Sequence, residues 1–151
     1  MAGYLNNSTI KAELLKAYTN FDTSYNVTTT SFVKYEAGFA TDPSVLSAGY
    51  SNVTFSVKLN NWGWVYAICV KQSEDLGQPS PFQISQGTNY KNIPVPNEIV
   101  EISLSYTYYN VTVLNLDADS LYNLYVSTGS AHPGYPDLLN VNSTVLKTFG
   151  T

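Results

Sequence analysis

The stretch from Asn110 to Ser127 constrains this chain more than any other. An apolar run ends at Leu116, a short acidic crossing passes through Asp117, Ala118, Asp119 and Ser120, and Tyr122, Leu124 and Val126 then alternate with Asn123, Tyr125 and Ser127. Alternation with a period of two is the mark of a strand with one dry face, so the segment reads strand, crossing, strand. Small and acidic residues suit a tight connection. Asp117 and Asp119 also carry the oxygens a hard cation takes, but a connection already accounts for them.

The flanking chain follows the same pattern. Val53, Phe55, Val57 and Leu59 point one way while Asn52, Thr54, Ser56 and Lys58 point the other, giving a strand with one dry and one wet face. Asn60-Asn61-Trp62-Gly63 is turn chemistry, and Trp64 to Val70 follows as the most hydrophobic strand, expected at the centre of a sheet. A first strand is expected over Phe32 to Phe39, broken at Gly38 and stopped at Asp42-Pro43. Gln72 to Pro81 reads as a polar loop, Phe82-Gln83-Ile84 as a short strand and Gln86 to Pro96 as irregular. Ile99 to Leu104 and Tyr106 to Leu116 supply strands, with one bent strand as the alternative because Tyr106 to Tyr109 offers no clear break. A turn-rich loop runs from Thr128 to Asp137, and Ser143 to Phe149 closes the chain.

Charged residues make up only 12 % of the sequence, against 13 tyrosines and many Thr, Ser, Val and Asn. That balance favours strands over helices. The expected fold is therefore all-β: an antiparallel two-sheet β-sandwich over residues 32–151, preceded by an N-terminal helical arm and linker over residues 1–31. In the arm, Ser8 caps a helix in which Ile10, Leu14, Ala17, Tyr18 and Phe21 recur at helical spacing. Its apolar stripe either packs within the domain or docks on a neighbouring subunit through Ile10, Leu14 and Tyr18.

The order of these features resembles the fibronectin type III and immunoglobulin-like sandwiches. The resemblance rests on the alternating strand through Val53, Phe55 and Val57, on Val65-Tyr66-Ala67-Ile68, on the segment Leu116 to Tyr122 with Leu124 and Val126 beyond it, and on the closing Phe149-Gly150-Thr151. It implies that Leu116 plugs the core and that Tyr122 is a corner tyrosine, its hydroxyl bonded back to the crossing backbone. The sequence departs from the family where a tryptophan is common in the second strand, having Phe55 there and Trp62 and Trp64 one strand later. The segment from Gln86 to Glu101 is also longer than the family's compact connection.

Composition narrows the function classes. A net charge of -4 with 7 Lys and Arg leaves no basic stripe for a phosphate backbone, so nucleic acid is not an expected partner. The lone cysteine, Cys69, excludes an internal disulfide and reads as a buried thiol. His132 is the only histidine, and no Gly-x-Ser-x-Gly nucleophile motif or glycine-rich phosphate loop accompanies it. Glu36, Glu74, Asp75, Glu98 and Glu101 are not brought into an opposing pair by sequence alone. The chain is expected to be non-enzymatic, with no cofactor, metal or membrane span.

Asn6, Asn7, Asn26, Asn52, Asn110 and Asn142 each stand two before Ser or Thr with no Pro between. Asn7, Asn26, Asn52, Asn110 and Asn142 are taken as candidate N-glycan acceptors, which favours an extracellular or cell-surface origin. Because Met1 to Asn6 does not resemble a signal peptide, the chain is then expected to be a processed or excised fragment. Two functions follow as expectations. One is a structural or adhesive glycoprotein module that assembles with copies of itself or with neighbouring domains, into arrays or filaments through the arm. The other is a carbohydrate- or ligand-binding module using Trp62, Tyr90, His132 and above all Tyr135, which sits between Gly134 and Pro136.

Overall fold

In a computed structural model the described residues are 37–130 and 139–151. Val53, Phe55, Val57 and Leu59 are fully buried, as their alternation requires, in strand β2 (Val53–Leu59). It pairs antiparallel with β1 (Phe39–Ala48) on one side and β5 (Tyr108–Val113) on the other. A second sheet has the order β4 (Asn97–Ile102), β3 (Gly63–Lys71), β6 (Leu121–Gly129) and β7 (Leu139–Gly150), again antiparallel throughout. Among the described residues the protein is thus an all-β sandwich of a three-stranded and a four-stranded sheet.

Between the sheets lies one core. Val53, Phe55, Val57, Leu59, Val111 and Val113 from the first sheet meet Val65, Ala67, Cys69, Ile102, Leu124, Val126 and Phe149 from the second. Burial holds the Cys69 thiol protonated, its pKa pushed up to about 12. Gly63 permits the tightest approach in this core, since a Cβ there would lie 2.5 Å from Ala37 Cβ and 2.6 Å from the Gly129 carbonyl.

The four-stranded sheet is covered on its other face as well. Tyr66, Ile68, Val70 and Tyr125 form a second apolar layer with Ile84, and Trp64, Val95 and Ile99 pack against it. This explains why every residue from Val65 to Val70 is buried: alternate side chains enter different cores. The cover is the connection between β3 and β4, which contains a five-residue helix, α1 (Pro81–Ser85).

Two expectations are corrected. Phe82-Gln83-Ile84 is helical, because Ser80 and Gln83 form a reciprocal capping box, with Gln83 N donating to Ser80 Oγ at 3.1 Å and Ser80 N to Gln83 Oε1 at 2.9 Å. The first strand begins at Phe39 and runs through Asp42-Pro43; it is an edge among the described residues, and a register shift between Thr41 and Ser44 spans Pro43 and its missing donor. Residues 32–36 of the expected strand lie outside the described residues. The two strands expected over Ile99 to Leu104 and Tyr106 to Leu116 are present as β4 and β5, in different sheets and divided by a turn in which Tyr106 has φ 53°.

Candidate interaction surfaces

At one end of the sandwich the chain crosses from β5 to β6. Leu116 is buried, and its N–H donates to the Ser51 carbonyl at 3.0 Å, tying the crossing to the turn between β1 and β2. Tyr122 Oη accepts the Asp117 N–H at 2.8 Å, and the Tyr122 ring stacks on Phe149 with centroids 5.6 Å apart and planes 12° from parallel. Thr151 straps the crossing from below: its hydroxyl donates to the Asp117 carbonyl at 2.7 Å and accepts from Ser120 N at 3.0 Å. The Lys71 ammonium pairs with the Asp117 carboxylate, which holds the lysine above its ordinary pKa, chiefly through that hydrogen bond. The pair lies at the surface, so it contributes little to stability.

Beside the crossing, the β3–β4 connection is latched onto the sheet. Asp75 Oδ2 accepts from Tyr125 Oη and from Asn123 Nδ2, both at 2.6 Å. Burial first, and the bond to Asp75 second, push the Tyr125 phenol well above its ordinary range. Within the connection, Asn89 Oδ1 accepts from the N–H groups of Lys91 and Ile93, while Gln83 Nε2 donates to the Tyr90 carbonyl and Asn92 Oδ1. Shallow clefts flank it. One of about 280 Å³ runs between Lys71, Pro96 and Asp117, and one of about 390 Å³ between Leu76, Tyr90 and Ile93. Among the described residues no three His, Cys, Asp or Glu side chains gather as a metal site, and no helix is long and apolar enough to cross a membrane.

Large apolar side chains are exposed at both ends, and also in β1 (Leu46), the β3–β4 connection (Leu76 and Ile93) and β5 (Tyr108). Tyr50, Leu114 and Leu121, each more than half exposed, sit at the crossing end. At the opposite end Trp62, Leu104 and Tyr106 are likewise more than half exposed. The register Gly63↔Ile102 brings their two turns together, and Tyr106 N donates to the Leu59 carbonyl at 2.7 Å. Ala37 lies at this same end, its carbonyl accepting from Thr128 Oγ1 at 2.5 Å and Asn140 Nδ2 at 3.1 Å.

The outer face of the three-stranded sheet is polar. Cross-strand pairs line it: Lys58 with Tyr108, Ser56 with Asn110, and Thr54 with Thr112, whose hydroxyls are 2.8 Å apart. Asn110 is exposed there, whereas Asn52 is half-buried in the β1–β2 turn. Asn142 lies in β7, its side chain outside the described residues. Asn7, Asn26, Ile10, Leu14, Tyr18, His132 and Tyr135 also lie outside the described residues.

Of the aromatic ligand candidates, the structure describes Trp62 and Tyr90 and places them at opposite ends. Tyr90 is already packed: a Cβ on Gly77 would lie 2.7 Å from its Cδ2, and Lys91 Nζ is 5.6 Å from its ring centroid. Sequence reasoning missed Leu104, Tyr106, Tyr50, Leu114 and Leu121 as surface groups and Asp75 as a latch. The Ser80-x-x-Gln83 spacing was the one signal in that region open to sequence. A comparison with protein-family models and with curated proteins finds no match.

Proposed function

We propose that this chain is a non-catalytic structural or adhesive module of a secreted or cell-surface protein, stacking end to end with further copies of itself. The observation that carries this reading is the pair of unlike apolar ends, Trp62, Leu104 and Tyr106 at one and Tyr50, Leu114 and Leu121 at the other. Scattered exposed hydrophobics are ordinary, but clusters mark contact surfaces. Because the two ends differ, a contact between them does not close on itself and propagates as a string. Tyr106 adds support. It holds φ 53° while 66 % exposed, a conformation that glycine or asparagine adopts at lower cost, so its side chain has a use that its fold does not supply. In this reading Ile10, Leu14 and Tyr18 of the arm add a further intermolecular contact.

The strand order, the Tyr122 hydrogen bond to the crossing backbone and the closing Thr151 strap favour a fibronectin type III-like sandwich. Its long β3–β4 connection departs from a compact family member. Light scattering across a concentration series tests the assembly: growth of large species is expected for the intact chain and its loss in the double variant Trp62→Ser/Tyr106→Ser. Monomers at all concentrations, or unchanged growth in the variant, would remove this reading. A second reading, sugar binding by an end loop, is favoured by the exposed Trp62 ring. Specific binding on a glycan array, abolished by Trp62→Ala, would support it.

A further inference from the structure

The geometry points to Asn110 as an N-glycan site whose first sugar packs on the Tyr108 ring. In an extended strand residues two apart share a face, and here Val111 and Val113 point into the core while Tyr108 and Asn110 point outward. The sequence Tyr108-Tyr109-Asn110-Val111-Thr112 therefore places an aromatic ring immediately beside the acceptor amide. That ring is positioned from across the ladder: Lys58, opposite Tyr108, holds its Nζ 4.8 Å from the ring centroid, yet Tyr108 stays 59 % exposed. Asn110 Nδ2 displaces the diphosphate leaving group from the anomeric carbon of a lipid-linked oligosaccharide and gives up one amide proton. The C–H face of the attached N-acetylglucosamine then lies against the electron-rich face of Tyr108.

The Asn52 motif supplies an internal control. It too has a tyrosine two residues earlier, Tyr50, but Gly49 to Asn52 forms a turn, with Gly49 N bonded to the Asn52 carbonyl at 3.0 Å. A Cβ on Gly49 would lie 2.9 Å from Asn52 Oδ1, so the amide is folded into the turn and Tyr50 does not share its face by strand geometry. The consequence concerns assembly as well. Among the described residues β5 is an edge of its sheet, and a glycan in its middle obstructs pairing of that edge with another chain.

The inference rests on the secretory reading, and the experiment separates the two. The full chain is expressed behind an added signal peptide in a secretory eukaryotic host, and glycan occupancy is mapped by mass spectrometry. Glycans are then trimmed to a single N-acetylglucosamine. Occupancy of Asn110 is expected, with an unfolding midpoint about 3 °C above that of Asn110→Gln and no such gain in a Tyr108→Ser background. The same comparison at Asn52 and Tyr50 should show no coupling. An unoccupied Asn110, or a gain that survives Tyr108→Ser, overturns the inference. Native material with no sugar on any acceptor would instead count against the secretory origin, leaving the engineered result to stand on its own.

Discussion

Tyr122→Phe isolates one atom of the crossing. The ring remains to stack on Phe149, and only the hydroxyl that accepts the Asp117 N–H at 2.8 Å is lost. An amide left without its partner in a partly buried site costs about 1–2 kcal/mol. For a domain of this size that corresponds to roughly 4–8 °C in the unfolding midpoint. Urea titration followed by tryptophan fluorescence gives the free energy directly, and an unchanged m-value would confirm that the folded and unfolded states are otherwise the same. Leu116→Ala is the calibrating comparison, since removing a buried leucine side chain costs about 2–5 kcal/mol. Thr151→Val removes the second hold on Asp117, so the two losses should couple by at least about 0.5 kcal/mol. A Tyr122→Phe protein within about 0.3 kcal/mol of the parent would refute the claim that this bond closes the sandwich.

Four further outcomes are expected. Tyr106→Gly should raise monomer stability by about 0.5–1 kcal/mol by relieving the positive φ while abolishing self-association, as chemical denaturation and light scattering would show. Asp75→Ala should strip the acceptor from Tyr125 and Asn123, accelerating hydrogen exchange across residues 72–96 more than in β2 or β5. Gly63→Ala should destabilise by about 1–3 kcal/mol, because its Cβ collides with Ala37 and the Gly129 carbonyl. In alkali the buried Cys69 thiol and the buried tyrosines set the limit: burial pushes Cys69 and Tyr66 up to about 12, and Tyr125 is raised too. Raised folded values mean that their contribution is full below the unfolded values, near 9 for the thiol and near 10 for the phenols, and is lost as pH rises through the folded ones. Stability should therefore fall from about pH 9 upward, with the Tyr66 and Tyr125 phenols ionising well above the ordinary value near 10 in ultraviolet difference spectra.

What was legible in the sequence was whatever one strand decides alone. The alternation from Val53 to Leu59 fixes a face without reference to any partner, and the apolar run from Val65 to Val70 announces a strand buried on both sides. The segment from Leu116 to Tyr122 was legible for the same reason, being a local crossing. Phe82 to Ile84 was not, since so short an apolar run has no period and the cap at Ser80 decides it. Tyr125 reads as solvent-facing in its alternation, yet a connection distant in sequence folds over it and Asp75 accepts the hydrogen bond of its hydroxyl. The apolar ends are invisible for a related reason. Leu104 and Tyr106 join Trp62, and Tyr50 joins Leu114 and Leu121, only once the sheets have closed.

The most direct test of end-to-end contact is a photo-crosslinking phenylalanine analogue placed at position 106, irradiated where the chain assembles, with the products mapped by peptide mass spectrometry. Crosslinks between copies, from position 106 to the peptides containing Tyr50 or Leu114 to Leu121, are expected. Crosslinks confined to the end that carries Trp62 and Leu104, or none between copies, would contradict it.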